Sequence, residues 1–445
     1  MDILIIIAQF VLSLSILIIL HEAGHFIPAK LFKTRVEKFY LFFDPWFSVL
    51  KKKIGETEYG LGWLPLGGYV KISGMIDESM DKEQMEGPPQ PWEFRSKPSW
   101  QRLIIMLGGV TVNFILGFLI FGLMIWGYGE ATLPAKNLTY GVGVDSVGYE
   151  MGLRDGDRIL KVGEVDFKLF DNRTLIREIV LNDAREIEVM RDGSKQVINV
   201  DPKYVTELSS TKNKGVQLVF ARVPYVTLKT GEGSPAESAG VQEGDRVIGF
   251  DNIKTPFLND FVEEFPRTPE TMHQVHLVRS GDTLSFPIRT DKSGQLGIYW
   301  QLPEYFFDME RKSYSLAEAL PMGVTKGVNF LSDQIKAFGQ IFKGKIKASD
   351  SLGGFGTIAT LFPDTWEWES FWRVTAILSL ILGFMNLLPI PALDGGHVLF
   401  LLFEMITGRK PSDKFLEYAT MAGFIILVTL LIYANGLDVM RWLNK

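Results

Sequence analysis

Cysteine is absent from the 445 residues. That excludes a disulfide scaffold, a thiol nucleophile and a cysteine-ligated metal site, and leaves the compartment open. Basic charge is in deficit: 46 Lys and Arg against 52 Asp and Glu give a formal net charge of -6. That balance argues against a nucleic-acid partner. Histidine is scarce, with five residues, so a chance pair at a metal-ligand spacing is rare. The first apolar run does not read as a cleavable leader. Residues 3–20 are almost unbroken apolar sequence preceded by Asp2, with no Ala-x-Ala site after them. The run is too long for a leader's apolar core and reads as a retained membrane helix.

Hydrophobic residues make up 47% and charged residues 22%, close to a soluble average, but the apolar residues are concentrated. Runs near residues 3–20, 103–127, 374–393 and 419–437 are each long enough to cross about 30 Å of hydrocarbon as a helix. The expectation is a polytopic α-helical membrane protein with about four transmembrane helices and a charged, strand-like insert. Lys30, Lys33, Arg35, Lys51, Lys52, Lys53, Arg95, Lys97 and Arg102 follow the first run, and Arg409, Lys410 and Lys414 follow the third. Cationic loops face the cytoplasm, which places the insert, about residues 128–368, outside it.

The stretch Tyr59 to Ile72, with Gly60, Gly62, Gly67 and Gly68, is too broken for a helix and suits short strands and tight turns. It reads either as a hairpin packed on the bilayer or as a re-entrant hairpin whose edge pairs with an extended peptide. The insert carries an internal repeat. Gly152-Leu153-Arg154-Asp155-Gly156-Asp157-Arg158-Ile159-Leu160 matches Gly240-Val241-Gln242-Glu243-Gly244-Asp245-Arg246-Val247-Ile248 at an offset of 88 residues, a domain-sized period. The element resembles the core of PDZ domains; the modules are then peptide binders or plain spacers. Val328, Leu331, Ile335, Phe338 and Phe342 mark one face of an amphipathic helix, lying on the outer membrane interface or packed against the modules.

His21-Glu22-Ala23-Gly24-His25 is an H-E-x-x-H pattern. At i and i+4 on a helix, two imidazoles leave one face and can share a zinc ion, with Glu22 beside a bound water as general base. The bland alternative is polar capping of the helix, but ionisable groups at the end of a membrane helix are costly unless they work. A catalytic zinc takes a third protein ligand and keeps one position open. His273 and His276 lie in the insert, across the membrane by this topology, and read as ordinary module residues. Asp394 lies just beyond a proline-broken span, Asn386 to Leu393, where unwound backbone can aim a carboxylate inward. Its alternative role is a helix N-cap. The first and third spans both run inward, which puts His25 and Asp394 at the same depth. His397 reads as a supporting or packing residue. Asn386 either contacts substrate or an oxyanion, or ties helices together; Asn113, after Gly108-Gly109, reads as packing.

These motifs, with Gly62-Trp63-Leu64-Pro65-Leu66-Gly67-Gly68-Tyr69-Val70 and Phe94-Arg95-Ser96-Lys97-Pro98 through Asn113, resemble the site-2 protease family. The tandem modules are similar to its bacterial RseP-type branch. The resemblance implies an intramembrane zinc metalloprotease of the inner membrane, with its active site near the cytoplasmic side. Its substrates would be single-pass membrane proteins already cut outside, such as anti-sigma factors or signal-peptide remnants. It assigns His21, His25 and Asp394 as zinc ligands, Glu22 as base, Asn386 as a substrate contact, and Gly67 and Gly68 to a hairpin holding substrate as an added strand. The expected organisation is a membrane core in two parts, 1–127 and 369–445. Between them lie PDZ-like modules at 128–220 and 221–310 and an amphipathic segment at 311–368. A catalytically silent PDZ-bearing scaffold is the alternative, and the intact Glu22 argues against it.

Overall fold

A computed structural model describes residues 2–75, 87–209, 217–347, 349 and 352–443. The chain divides into two compact units, one of Met1–Gly129, Ser313–Ile335 and Leu352–Lys445, the other of Glu130–Lys312 and Lys336–Ser351.

The first unit begins with α1 (Asp2–Leu31), then strands β1 (Val36–Phe43), β2 (Leu50–Ile54), β3 (Thr57–Leu61) and β4 (Leu64–Ile72), then α2 (Ser99–Tyr128). After the insert come α3 (Leu316–Phe342), α4 (Trp368–Leu387), α5 (Asp394–Thr407) and α6 (Asp413–Leu443). Among the described residues four helices are long and apolar enough to cross a membrane: α1, α2, α4 and α6. A helix satisfies its own backbone, which hydrocarbon cannot do for it. α1 outruns its apolar stretch, so the H-E-x-x-H residues lie inside the helix rather than at its end. The third span stops at Leu387, and α5 intervenes before the last span. Pro389 and Pro391 fill the gap, since proline lacks the amide a helix needs.

Contacts fix the register of the bundle. Gly24 abuts Gly108: a Cβ on Gly24 would lie 2.5 Å from the Gly108 carbonyl oxygen. Paired small residues let the two backbones approach this closely. α2 runs antiparallel to α1. α4 runs parallel to α1, as Ser13 with Thr375 (Oγ to Oγ1, 3.0 Å) and His21 with Asn386 (Nε2 to Nδ2, 3.3 Å) mark. α5 packs Val398 and Leu401 with Ala29, Ile105 and Met106, and a half-buried Arg102–Glu404 ion pair ties it to α2. α3 packs Phe330 and Leu331 against Ile120, Phe121, Ala376 and Leu380. Val328, Ile335 and Phe342 of its expected apolar face are exposed. Gly323 and Gly327 turn a different face inward, because their missing side chains admit the Phe118 ring and the backbone of Gly122.

The stretch Tyr59 to Ile72 is not a hairpin. The sheet order is β2-β3-β1-β4, with β1 parallel to β3 and antiparallel to β4, so β1 separates the two segments. The chain crosses the end of β1 at Gly62, whose amide donates to the Leu41 carbonyl at 2.8 Å. A Cβ there would lie 2.5 Å from the Phe42 oxygen, so only glycine passes. Among the described residues this leaves β4 as an edge strand.

In the second unit the 88-residue repeat is a repeat of structure. Leu153, Ile159, Ile187 and Val189 in one core recur as Val241, Val247, Val275 and Leu277 in the other. Asp157 and Asp245, buried at 0% and 1% exposure, anchor the matching turns. Arg191 donates to Asp157 from Nε and Nη2, both at 2.7 Å, and to the Gly152 carbonyl at 2.9 Å. Arg279 repeats this on Asp245 at 2.7 and 2.6 Å and on Gly240 at 2.8 Å. The motif glycines Gly152, Gly156, Gly240 and Gly244 all have positive φ, between 85° and 109°, the region glycine enters without strain. The end of α3 and the residues after it belong to this unit, with Ile346 packed on Val180 and Val205.

Candidate metal centre

His21 and His25 stand one turn apart on α1, 8% and 6% exposed. Their Nε2 atoms are 3.3 Å apart, and Asp394 Oδ2 lies 3.4 Å from the first and 3.3 Å from the second. Ligands about 2.05 Å from a common centre at the tetrahedral angle are separated by about 3.3 Å. The three donor atoms therefore have the spacing of one face of a zinc tetrahedron. Two Nε2 hydrogens could not both point into so small a gap, and Asp394 Oδ2 has no hydrogen-bond partner. Three lone-pair donors converging on one point form the chemistry of a cation site. Among the described residues no other group of three such ligands comes together.

The local sequence explains each position. Asp394 opens α5, where the helix folds back on the loop before it. A Cβ on Gly395 would lie 2.5 Å from the Leu387 carbonyl carbon, and one on Gly396 2.5 Å from the Ile390 oxygen. The glycine pair is thus what lets α5 start this close. Ala392 takes a φ of 85°, a strained value for an alanine at the turn that aims Asp394. His25 Nδ1 donates to the Ile105 carbonyl at 2.8 Å, which leaves its Nε2 lone pair directed into the site. A Cβ on Gly109 would lie 2.7 Å from His21 Cε1, so this glycine makes room for the rings.

Sequence reasoning assigned Asn113 to packing. Its side chain instead lies 2.9 Å from His21 Nδ1, completely buried. The detectable signal was its spacing of four from Gly109, but it acquires meaning only once α1 and α2 are in register.

A cavity of about 820 Å³ opens beside the three donors, lined by Glu22, Gly67, Gly68, Tyr69, Val70, Asn386 and His397, among others. Glu22 is adjacent to His21 on the cavity side, and the Val70 amide is directed at its carboxylate. β4 comes this close because Gly68 has no side chain: a Cβ would lie 2.5 Å from Ile18 Cγ2 and 3.5 Å from Glu22 Cγ. Gly67 likewise gives way to the Phe43 ring, 2.7 Å from where its Cβ would be. Tyr69 donates to Asp44 at 2.9 Å; burial, then this bond, holds its phenol above the ordinary range. Asn386 directs Nδ2 at His21 Nε2 from 3.3 Å. His273 and His276 lie in the second repeat, on Asp251 and its turn at 2.8 and 2.7 Å.

Comparison with known proteins gives a consistent picture. The family description "Peptidase family M50" matches residues 9–430. A Neisseria meningitidis protein named as a zinc metalloprotease is 29% identical over 98% of this chain and 99% of its own length. The regulator of sigma E protease of Haemophilus influenzae is 25% identical over 97% of this chain and 98% of its own. A Borreliella burgdorferi protein, also named as a zinc metalloprotease, is 29% identical over 96% of each.

Proposed function

This chain belongs to peptidase family M50, the site-2 protease family, and from that premise we propose that it hydrolyses peptide bonds within or near the transmembrane segment of single-pass membrane proteins after a prior extracytoplasmic cut. The observation that carries the reading is the triangle of His21 Nε2, His25 Nε2 and Asp394 Oδ2, with sides of 3.3 to 3.4 Å, beside Glu22 and an open strand edge. These three residues would hold zinc, the metal that the relatives' names carry. A bound zinc ion would supply Lewis acidity and lower the pKa of water toward about 7.

The chain's own residues do the rest. Glu22 takes a proton from the attacking water as the water oxygen bonds to the carbonyl carbon, and returns it to the amide nitrogen as the C–N bond breaks. Asn386 Nδ2 donates to the carbonyl oxygen as it gains charge. A substrate helix must lose its internal hydrogen bonds before it can be cut. The free edge of β4, at Gly67 and Gly68, replaces them with strand pairing.

The repeats at 128–220 and 221–310 act as PDZ-like modules outside the membrane, and 311–368 as an amphipathic interfacial segment, with 1–127 and 369–445 forming the core. The protein resides in a bacterial inner membrane with its site toward the cytoplasm, a reading supported by Lys51, Lys52 and Lys53 on β2, all exposed. Anti-sigma factors or signal-peptide remnants are the substrate classes in view.

The test is cleavage, in detergent, of a tagged single-pass protein lacking its outer domain. Wild type should cleave it and Glu22→Gln should not, with one zinc retained by each. Equal cleavage by both would remove Glu22 from the mechanism.

A further inference from the structure

A second helix wall orients the proposed ligands. α2 presents Ile105, Gly109 and Asn113 at intervals of four, a single stripe along its face. Ile105 and Asn113 are eight residues, about 12 Å, apart along α2, with Gly109 midway, so they bracket the His21–His25 pair, which spans four residues of the antiparallel α1. The Ile105 carbonyl holds His25 Nδ1 at 2.8 Å, Gly109 clears the space between the rings, and Asn113 meets His21 Nδ1 at 2.9 Å.

The two ring contacts differ in kind. A carbonyl can only accept, so His25 must carry its proton on Nδ1 and present a bare Nε2. An amide can do either. With Nδ2 toward the ring it donates, which would put the proton of a neutral His21 on Nε2, the atom 3.4 Å from Asp394 Oδ2. With Oδ1 toward the ring it accepts, and His21 matches His25. Oxygen and nitrogen ends of an amide have nearly the same shape. Asn113 Oδ1 has no hydrogen-bond partner to hold the amide in its present sense.

We propose that Asn113 is a positioning residue whose Oδ1 accepts a hydrogen bond from His21 Nδ1, fixing the tautomer that turns the Nε2 lone pair toward Asp394. The inference rests on the zinc reading above and deepens it. Among the described residues the buried amide makes no other side-chain hydrogen bond. Its backbone carbonyl separately accepts from Ser379 Oγ at 2.7 Å, so a side-chain substitution leaves the α2–α4 tie intact.

Full-length wild type, Asn113→Leu and Asn113→Asp, purified in detergent, would be compared by chelator competition for zinc and by the visible spectrum after cobalt substitution. Asn113→Leu should weaken zinc binding roughly 10- to 100-fold and alter the cobalt bands. Asn113→Asp, which can only accept, should stay within about threefold of wild type and keep its bands. Wild-type affinity and spectrum in Asn113→Leu would reduce the residue to helix packing and overturn the inference. So would an Asn113→Asp variant that loses as much as the leucine, because the donating end would then be the working contact. Should Asn113→Leu fail to fold, the aspartate decides alone. Wild type that binds no zinc would instead remove the zinc reading itself, an outcome distinct from equal binding by wild type and variants.

Discussion

Two kinds of buried carboxylate occur in this protein, and they are finished to different degrees. Asp157 and Asp245, in the repeats, have every oxygen occupied: each takes two bonds from an arginine, and the Arg154 and Gln242 amides add a third at 2.9 and 2.8 Å. Asp394 is nearly as enclosed, yet its Oδ2 faces two imidazole nitrogens and accepts from nothing. A charge buried for the sake of the fold is completed by the fold, because an uncompensated one costs several kcal/mol. A buried carboxylate left without a hydrogen-bond donor, its neighbours' lone pairs converging on the same point, has the chemistry of a cation ligand.

If that contrast is sound, removing each carboxylate's surroundings should fail in different ways. The largest effect belongs to Asp394→Ala: zinc retention and cleavage should both drop to background, while the melting temperature of metal-free protein stays level or rises. A marked fall in metal-free stability would mean that Asp394 is structural after all. Next comes Arg191→Met, which strands Asp157 without its partner and should cost about 3–5 kcal/mol. Hydrogen exchange in the first repeat should rise sharply while zinc content is unchanged. Arg279→Met should do the same to the second repeat alone, and uniform loosening of both would break the idea that the clamps are local.

Much of this arrangement was legible because it is encoded locally. Hydropathy marks long helices, i and i+4 places two histidines on one face, and the prolines before Asp394 mark where the third membrane span breaks. The 88-residue repeat could be read from a nine-residue match, and the spacing of its core residues follows it. What could not be read depends on register between distant segments. Gly109 and Asn113 matter only because α1 and α2 cross at Gly24 and Gly108. The crossover that puts β1 between β3 and β4 turns on a single glycine, Gly62, at the end of β1. Which face of α3 packs on its neighbours also turns on register: Gly323 and Gly327 admit α2, while Val328, Ile335 and Phe342 of the apolar stripe stay exposed.

Gly109→Ala sharpens the comparison at smaller scale. Alanine suits a helix at least as well as glycine, so the backbone should be undisturbed. Its methyl group, however, would lie 2.7 Å from His21 Cε1 and 2.9 Å from His21 Nδ1, and the rings must move apart. Zinc affinity should fall roughly 10- to 100-fold, comparable to loss of an orienting partner, with unfolding little changed. Unaltered affinity would mean the rings have slack that the geometry does not suggest.

The smallest effect should come from a carboxylate that is paired but not enclosed. Asp183 meets Lys345, and Arg185 at 3.0 Å, with about a third of each side chain exposed. The Lys345 hydrogen bond, then the Lys345 and Arg185 charges, hold its carboxyl below the ordinary range against a modest burial cost. A depressed carboxyl stabilises the fold above its unfolded pKa and loses that contribution as pH falls through the folded value. Asp183→Asn should therefore cost no more than about 1 kcal/mol at pH 7, because water and salt screen an exposed pair. The difference should narrow toward pH 4 and shrink again in 1 M salt, read from hydrogen exchange around residues 176–185. A loss as large as that of Arg191→Met, insensitive to salt, would show that enclosure is not what separates the strong clamps from the weak one.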